Sequence, residues 1–330
     1  MIQENNYTGG HQSSALLGFA GDTMLGRSVN RKIEGTGYLY PWGNLISLLK
    51  KTDLNIINLE TTLTESTEKV PKVFNFKASP DKVKTLLEAN IAIVNLANNH
   101  ILDYAEKGLL ETIVVLQKAG IGYVGAGKNI EEASRPIHTT VNGIRIGILG
   151  YTDNEPGWKA GKHPGTNYIK IGDESIKSIK NVLVKIKNKV DVLIVSIHWG
   201  PNMREKPSQQ FIAFAHQLAD VGVNIIHGHS AHIFQGIEVY KNTLILYDTG
   251  DFVDDYMVDP YLRNDRSFFF LCEIGKSGVH KLSLFPVLIK NMQVNLATGE
   301  DYSWCMRRIR KLSAEFGTVI PNDGEIIINR

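Results

Sequence analysis

Ala15-Leu-Leu-Gly-Phe-Ala-Gly-Asp22 runs apolar for most of its length and then closes on a glycine and a carboxylate. A continuous apolar run this short, stopped by glycine, reads as a strand buried on both faces rather than as a helix. The same form recurs along the chain. Residues 54–59 (LNIINL) end at Glu60, 91–96 (IAIVNL) lead into Asn99-His100, 190–197 lead into His198, and 223–226 lead into His229 and His232. Residues 144–149 form one more such run. Between them lie segments with apolar residues at helical spacing: 42–51, 81–88 entered through Pro80, 104–119 stopped by Gly120, 175–187 and 208–221. From Gly236 the pattern turns strand-rich, at 236–239, 244–247, 268–273 and 279–285, before a last helix near 300–316 and a loose tail. Alternating strands and helices predict an α/β fold with sheets sandwiched between helices. Neither a Pro/Gly/Ser-rich linker nor a short-period repeat interrupts it, so one domain is expected over 15–317. A disordered or loosely packed N-terminus (1–14) and a C-terminal tail (318–330) flank it.

The bulk composition narrows the function classes. The 330 residues are 43% hydrophobic and 21% charged, which is ordinary globular chemistry. A net charge of +2 points to no partner, and the densest basic run, 307–311 (RRIRK), reads as the solvated face of the last helix. No nucleic-acid partner is expected, because no basic stripe is present. Residues 1–14 lack the cationic start and apolar run of a secretory signal. No stretch approaches the roughly 18 apolar residues of a membrane span, so no membrane anchor is expected. Cys272 and Cys305 sit outside any CxxC pattern and read as thiols of a reducing compartment. Together these predict a cytoplasmic protein.

The polar residues carry the chemistry. Asp22, Glu60, Asn99-His100, His198 and His229/His232 each follow a predicted buried strand, the edge of an α/β sheet at which ligands bind. Singly, each has an ordinary explanation: Asp22 as a helix cap, Asn98-Asn99 as turn residues, a lone histidine as a satisfied core group. As a set, oxygen and imidazole donors without thiolates suit divalent ions such as Mn, Fe or Zn and disfavour a Cys-rich structural zinc. Two such ions about 3.5–4 Å apart would activate water and neutralise a phosphoryl group.

Five motifs then occur in order: Gly21-Asp22-Thr23-Met24-Leu25-Gly26-Arg27, Asn58-Leu59-Glu60, Asn98-Asn99-His100, His198-Trp199-Gly200 and Gly228-His229-Ser230-Ala231-His232. In this order the chain resembles the CapA family of poly-γ-glutamate capsule synthesis proteins, within the calcineurin-like metallophosphoesterase superfamily, over about residues 15–317. The resemblance implies a four-layer α/β/β/α sandwich with two packed mixed sheets. It also implies metal ligation by Asp22, Glu60, Asn99, His198, His229 and His232. Asp22 and His232 would then serve one ion and Asn99, His198 and His229 the other, with Glu60 bridging. His100 is implied as the free catalytic imidazole. Arg27, Asn58 and Asp251 are implied as contacts of an anionic small-molecule or polymer substrate. The chain departs from the superfamily pattern in carrying Met24 where Asp-x-His has histidine, Glu60 for the bridging Asp, and His229 and His232 three apart. The implied activity is a metal-dependent hydrolase. The alternatives are an accessory protein of poly-γ-glutamate biosynthesis and, more remotely, an amidase of γ-glutamyl bonds.

Three look-alikes fail on their own chemistry. Gly122 to Lys128 imitates a phosphate-binding loop, but Asn129 stands where Ser or Thr would hold magnesium, and Pro136 cuts the following helix short. Gly228 to His232 imitates a nucleophile elbow but lacks its last glycine. Asp248-Thr249-Gly250 occurs once, whereas aspartic proteases need two copies.

Overall fold

The structure, a computed structural model, describes residues 13–328; the loose N-terminus expected over 1–14 lies almost wholly outside that range. The strands that form the two large sheets are β1 (Ala15–Thr23), β2 (Leu54–Leu59), β3 (Ile91–Asn95), β4 (Gly122–Val124), β5 (Ile137–Val141), β6 (Ile144–Thr152), β7 (Val192–His198), β8 (Ile225–His229), β9 (Ile237–Tyr240), β10 (Thr243–Leu246), β11 (Asp251–Val253), β12 (Arg266–Gly275), β13 (Gly278–Lys290), β14 (Gln293–Leu296) and β15 (Glu325–Ile327). The longer helices are α1 (Arg27–Thr36), α2 (Val83–Glu88), α3 (Ala105–Ala119), α4 (Asp173–Lys187), α5 (Gln209–Asp220) and α6 (Gly299–Ala314).

Both sheets are mixed. The first has nine strands, in the order β14-β13-β12-β1-β2-β3-β4, with β11 also on β1 and β15 also on β13. The second has six, in the order β9-β10-β8-β7-β6-β5. Parallel pairing joins β1 to β4 in one and β6, β7, β8 and β10 in the other, and antiparallel strands close both edges of the second sheet and the β14 edge of the first. Buried on both faces, these central strands sort their side chains by the two-residue alternation of a strand. Leu17, Phe19 and Ile56 of the first sheet share one apolar cluster with Ile146, Ile148, Ile194 and Leu244 of the second. Ala20, Ile57 and Val94 point the other way, onto Val29 and Ile33 of α1 and Leu109, Ile113 and Leu116 of α3. Leu193, Val195 and Ile197 likewise meet Leu183 of α4 and Phe214 and Leu218 of α5.

The elements follow local rules where those rules are strong. Gly120 stops α3 in the left-handed conformation (φ 72°), and the Ser208 side chain caps α5 by accepting from the Phe211 N–H. Three expectations change. Residues 42–51 do not form one helix: a 3₁₀ stretch, Tyr40–Leu45, is broken at Gly43 (φ 45°) and followed by a single turn, Ile46–Leu49. The helix α1 has no counterpart among the expected elements, since only Val29 and Ile33 of its ten residues are buried. The tail expected to be loose is held: β15 pairs with β13, and Ile320 and Ile326 are buried in the cluster shared by the sheets. No helix among the described residues is long and apolar enough to cross a membrane.

Candidate metal centre

Parallel neighbours in register bring the predicted residues together. Asp22 near the end of β1 pairs with Asn58 of β2 and with Asp251 of β11, and His198 at the end of β7 pairs with His229 of β8. The approach of β1 to the β11 loop needs glycine: a Cβ on Gly21 would lie 1.8 Å from the Gly250 carbonyl oxygen, to which the Asp22 N–H donates. Two groups of buried side chains result, Asp22 with His198 and His229, and Asp22 with Glu60 and His232, the ligand atoms of each lying within 4.8 Å of one another. Asp22, rather than Glu60, is therefore the residue common to both. His198 Nδ1 and His229 Nδ1 are 3.0 Å apart, and they stand 3.7 and 3.8 Å from Asp22 Oδ1. Two imidazole nitrogens on one zinc-like ion, each about 2.0–2.1 Å from it, stand about 3.0–3.4 Å apart, so this spacing suits a shared cation.

The unpaired atoms give a second test of fit. Both Glu60 carboxylate oxygens, His198 Nε2, Asn99 Oδ1 and Asp251 Oδ2 are buried with no hydrogen-bond partner. An unsatisfied buried polar group costs about 1–3 kcal/mol and a charged one more, so several of them in one place point to a missing counter-ion. The donor set, carboxylate and carboxamide oxygens with imidazole nitrogens, fits a divalent cation.

Electrostatics agree. Burial alone would raise the Asp22 carboxyl, but the His232 hydrogen bond and the imidazoles of His198, His232 and His229 outweigh it and hold Asp22 below the usual range. Burial, and next the charge of Asp22, push Glu60 well above its usual value. Burial depresses His198 to about 3 and His229 well below the usual imidazole value, which leaves both neutral and able to donate a lone pair. For His232 burial pulls downward, but the charges of Asp251 and Glu60 and its bonds to Asp22 and Asp251 raise it well above the usual value.

Three expected substrate contacts take other places. Asn58 is fully buried and fully used: its amide donates to Asp22 (2.7 Å) and lies 3.2 Å from His198 Nδ1, and its oxygen accepts from Asn95 and Asn98. Its place is between Asp22 and His198, which it orients. The Arg27 guanidinium is bound to Asp255 and lies 4.5 Å over the Phe76 ring. Asp251 is fully buried inside the centre, with Oδ1 2.9 Å from His232 Nδ1, so it orients an imidazole.

His100 stands apart from the two groups. Its ring stacks on Phe76 (3.8 Å between centroids), and its Nδ1 meets Asp103 Oδ2 at 2.6 Å. Nε2 is thereby turned toward Glu60, 3.7 Å away. Lys72 completes the wall, with Nζ 3.1 Å from Asp103 and donating to the Asn99 carbonyl. Asp103, Phe76 and Lys72 escaped the sequence reading; the three-residue spacing of His100 and Asp103 was the one signal available. Also missed were His227, buried between Ser196 and the Ala20 carbonyl, and Asp248. The Asp248 carboxylate accepts the Ala231 and Gly250 N–H groups and so fixes the turn that carries His229 and His232. That turn is strained, with Ser230 at φ 120° and His232 at φ 61°. The phosphate-loop look-alike ends in a single helical turn, Ile130–Ala133, capped by Asn129.

Known proteins resemble the chain over most of its length. Residues 16–256 match the family described as bacterial capsule synthesis protein PGA_cap. A "Probable polyglutamine synthesis accessory protein" of Mycobacterium tuberculosis is 31% identical, with 92% of each chain covered. The "Capsule biosynthesis protein CapA" of Bacillus anthracis is 34% identical over 82% of this chain and 66% of its own length. The "PGA biosynthesis protein CapA" of Bacillus subtilis is 29% identical over 82% of this chain and 70% of its own length. Among solved structures, a hypothetical protein from Thermus thermophilus superposes with a TM-score of 0.50 over 82% of this chain and 98% of that one, at 15% identity, a likeness of fold alone. With the family match spanning most of the chain and relatives above 30% identity along nearly all of it, the chain belongs to the PGA_cap family of bacterial capsule synthesis proteins, the CapA-type proteins.

Proposed function

We propose that the protein is a metal-dependent hydrolase that directs water onto a phosphate ester or a related anionic bond. The single observation behind this reading is that the buried Asp22 is shared by two groups of metal-competent side chains, with His198 and His229 and with Glu60 and His232, while both Glu60 oxygens, His198 Nε2 and Asn99 Oδ1 have no hydrogen-bond partner. In it, Asp22, Glu60 and His232 would hold one divalent cation, Mn, Fe or Zn, and Asp22, His198 and His229 would hold a second, with the Asn99 carboxamide as a further donor. When bound, such ions supply a nucleophile at neutral pH and neutralise charge on the substrate. The chain's own residues do the rest. Asn58 and Asp251 fix ligand orientation, Asp103 keeps the His100 proton on Nδ1, and Nε2 of His100 is left to exchange a proton with the leaving oxygen. The three apolar clusters support a four-layer α/β/β/α arrangement, which would place this centre where the C-terminal ends of both parallel cores meet.

Elemental analysis and hydrolysis of phosphomonoesters and diesters, with Mn, Fe and Zn supplied, test the proposal. Asp22→Ala and His229→Ala should each lower bound metal at least tenfold. An intact fold with neither stable metal nor turnover defeats the reading. The names of the relatives favour a second one, an accessory protein of polyglutamate synthesis that binds an anionic polymer without cleaving it. Polymer binding that survives metal removal, with no products formed, would select it.

A further inference from the structure

The candidate centre is rich in acceptors and short of donors. Arg27 is bound to Asp255, Lys72 is engaged by Asp103 and the Asn99 carbonyl, and the Asn58 amide is turned to Asp22. An anionic group held there would bring oxygens beyond those that cations cover, and each of these calls for a hydrogen-bond donor. One side chain at the centre answers that need.

Tyr256 lies just beyond β11. Asp254 accepts the Tyr256 N–H at 2.7 Å, the local turn that an aspartate makes with the backbone two residues on. The turn parts two neighbours: Met257 is 90% exposed, whereas the Tyr256 ring faces the centre. That ring packs edge-on against His232, 5.1 Å between centroids, and lies 5.9 Å from the Phe76 ring, which also stacks on His100. The phenol and the His100 imidazole thus share Phe76 as a neighbour. Both border the group of Asp22, Glu60 and His232, Tyr256 through His232 and His100 through Glu60. Burial, and next the charges of Glu60, Asp251, Asp254 and Asp22, raise the Tyr256 hydroxyl well above its usual value. It lies within reach of those carboxylates and keeps its proton.

The hydroxyl is also free. It makes no hydrogen bond to any of the described residues, and unlike Asp251 Oδ2 and Asp254 Oδ2, which are sealed without partners, it stays open to solvent. Tyr256 borders a cavity of about 650 Å³ that extends to the β13–β14 hairpin, so the ring stands between the centre and open space. The ring supplies packing; the oxygen, with no partner inside the chain, is left for one from outside.

We propose that Tyr256 is a substrate-contacting residue of this centre, its phenolic O–H donating a hydrogen bond to an oxygen of the phosphoryl or related anionic group bound there. The inference rests on reading the centre as a metal site for anionic groups, and it adds a neutral donor opposite His100.

Calorimetry of inorganic phosphate on the metal-loaded protein tests it. Tyr256→Phe keeps the ring, and with it the contacts to His232 and Phe76, and removes only the oxygen. The variant should keep its metal content and melting temperature and bind phosphate at least about tenfold more weakly, the size of a lost hydrogen bond to a charged group. A smaller loss overturns the proposal, and so does the absence of phosphate binding by the unaltered protein. Loss of metal or of thermal stability in the variant overturns it as well, since the oxygen would then serve the ion or the fold. The two readings fail separately: turnover with equal phosphate affinity in both proteins removes only the role of Tyr256, and a Tyr256-dependent phosphate affinity without turnover removes only the hydrolase.

Discussion

At the scale of single residues, His100 and its neighbours separate catalysis from metal binding. Asp103 fixes the Nδ1 proton and Phe76 fixes the ring plane, so His100 needs no cation to hold its place. His100→Ala is expected to leave metal content unchanged while turnover falls about 10²- to 10⁴-fold, the range of a lost general acid–base group. Asp103→Asn should give a smaller loss, again with metal retained, and elemental analysis beside steady-state rates reads both. The two thiols make a simpler case. Burial raises Cys272 far above the usual thiol value and pushes Cys305 up to about 12. Neither should react with a thiol-specific disulfide reagent at pH 8 in the native fold, and both should react after denaturation. The residues legible in the sequence were those that follow apolar runs directly, Asp22, Glu60, His198 and His229. Those that orient them, Asn58, Asp248 and Asp251, carry the same residue types but owe their roles to partners 17 to 140 positions away, which no local pattern displays.

At the scale of elements, the buried central strands were readable because being covered on both faces leaves an uninterrupted apolar signature. Elements held by a few contacts were not. The helix α1 buries two side chains, and β15 is three residues long, so neither rises above the background of its own sequence. The last segment nevertheless matters energetically. Burying Ile320 and Ile326 contributes on the order of 1.5–3 kcal/mol each. A chain ended after Gly317 should therefore be less stable by about 3–6 kcal/mol. That is a large part of the roughly 5–15 kcal/mol available to a domain, and it would lower the melting temperature by about 4–9 °C. Differential scanning calorimetry reads this shift. An unchanged transition would mean that β15 adds nothing to the sheet.

At the scale of the whole molecule, protons and cation compete for the same centre. Glu60 is raised well above its usual value by burial and by Asp22, so the metal-free folded protein holds a proton there that the unfolded chain has released. The Glu60 share of metal-free stability should accordingly fall as pH rises from the usual carboxylate value near 4.5 through the raised one, against the opposite trend from the depressed His198 and His229. Metal uptake should expel that proton, so affinity should increase with pH, and the heat of binding should vary with the ionisation enthalpy of the buffer. A buffer-independent heat would place Glu60 outside the coordination set. Saturating cation should also stabilise the fold by about 2.7 kcal/mol at a hundredfold excess over its dissociation constant, a gain that a chelator reverses.

The candidate centre draws Asp22 and Glu60 from the ends of neighbouring strands of one sheet, and His198 and His229 from the ends of neighbouring strands of the other. A cation there would act as a rivet through the seam between the sheets. Stripping it should let amide hydrogens near Thr23 and Gly228 exchange with solvent sooner than those at the opposite ends of the same strands, where greasy side chains alone keep the halves together.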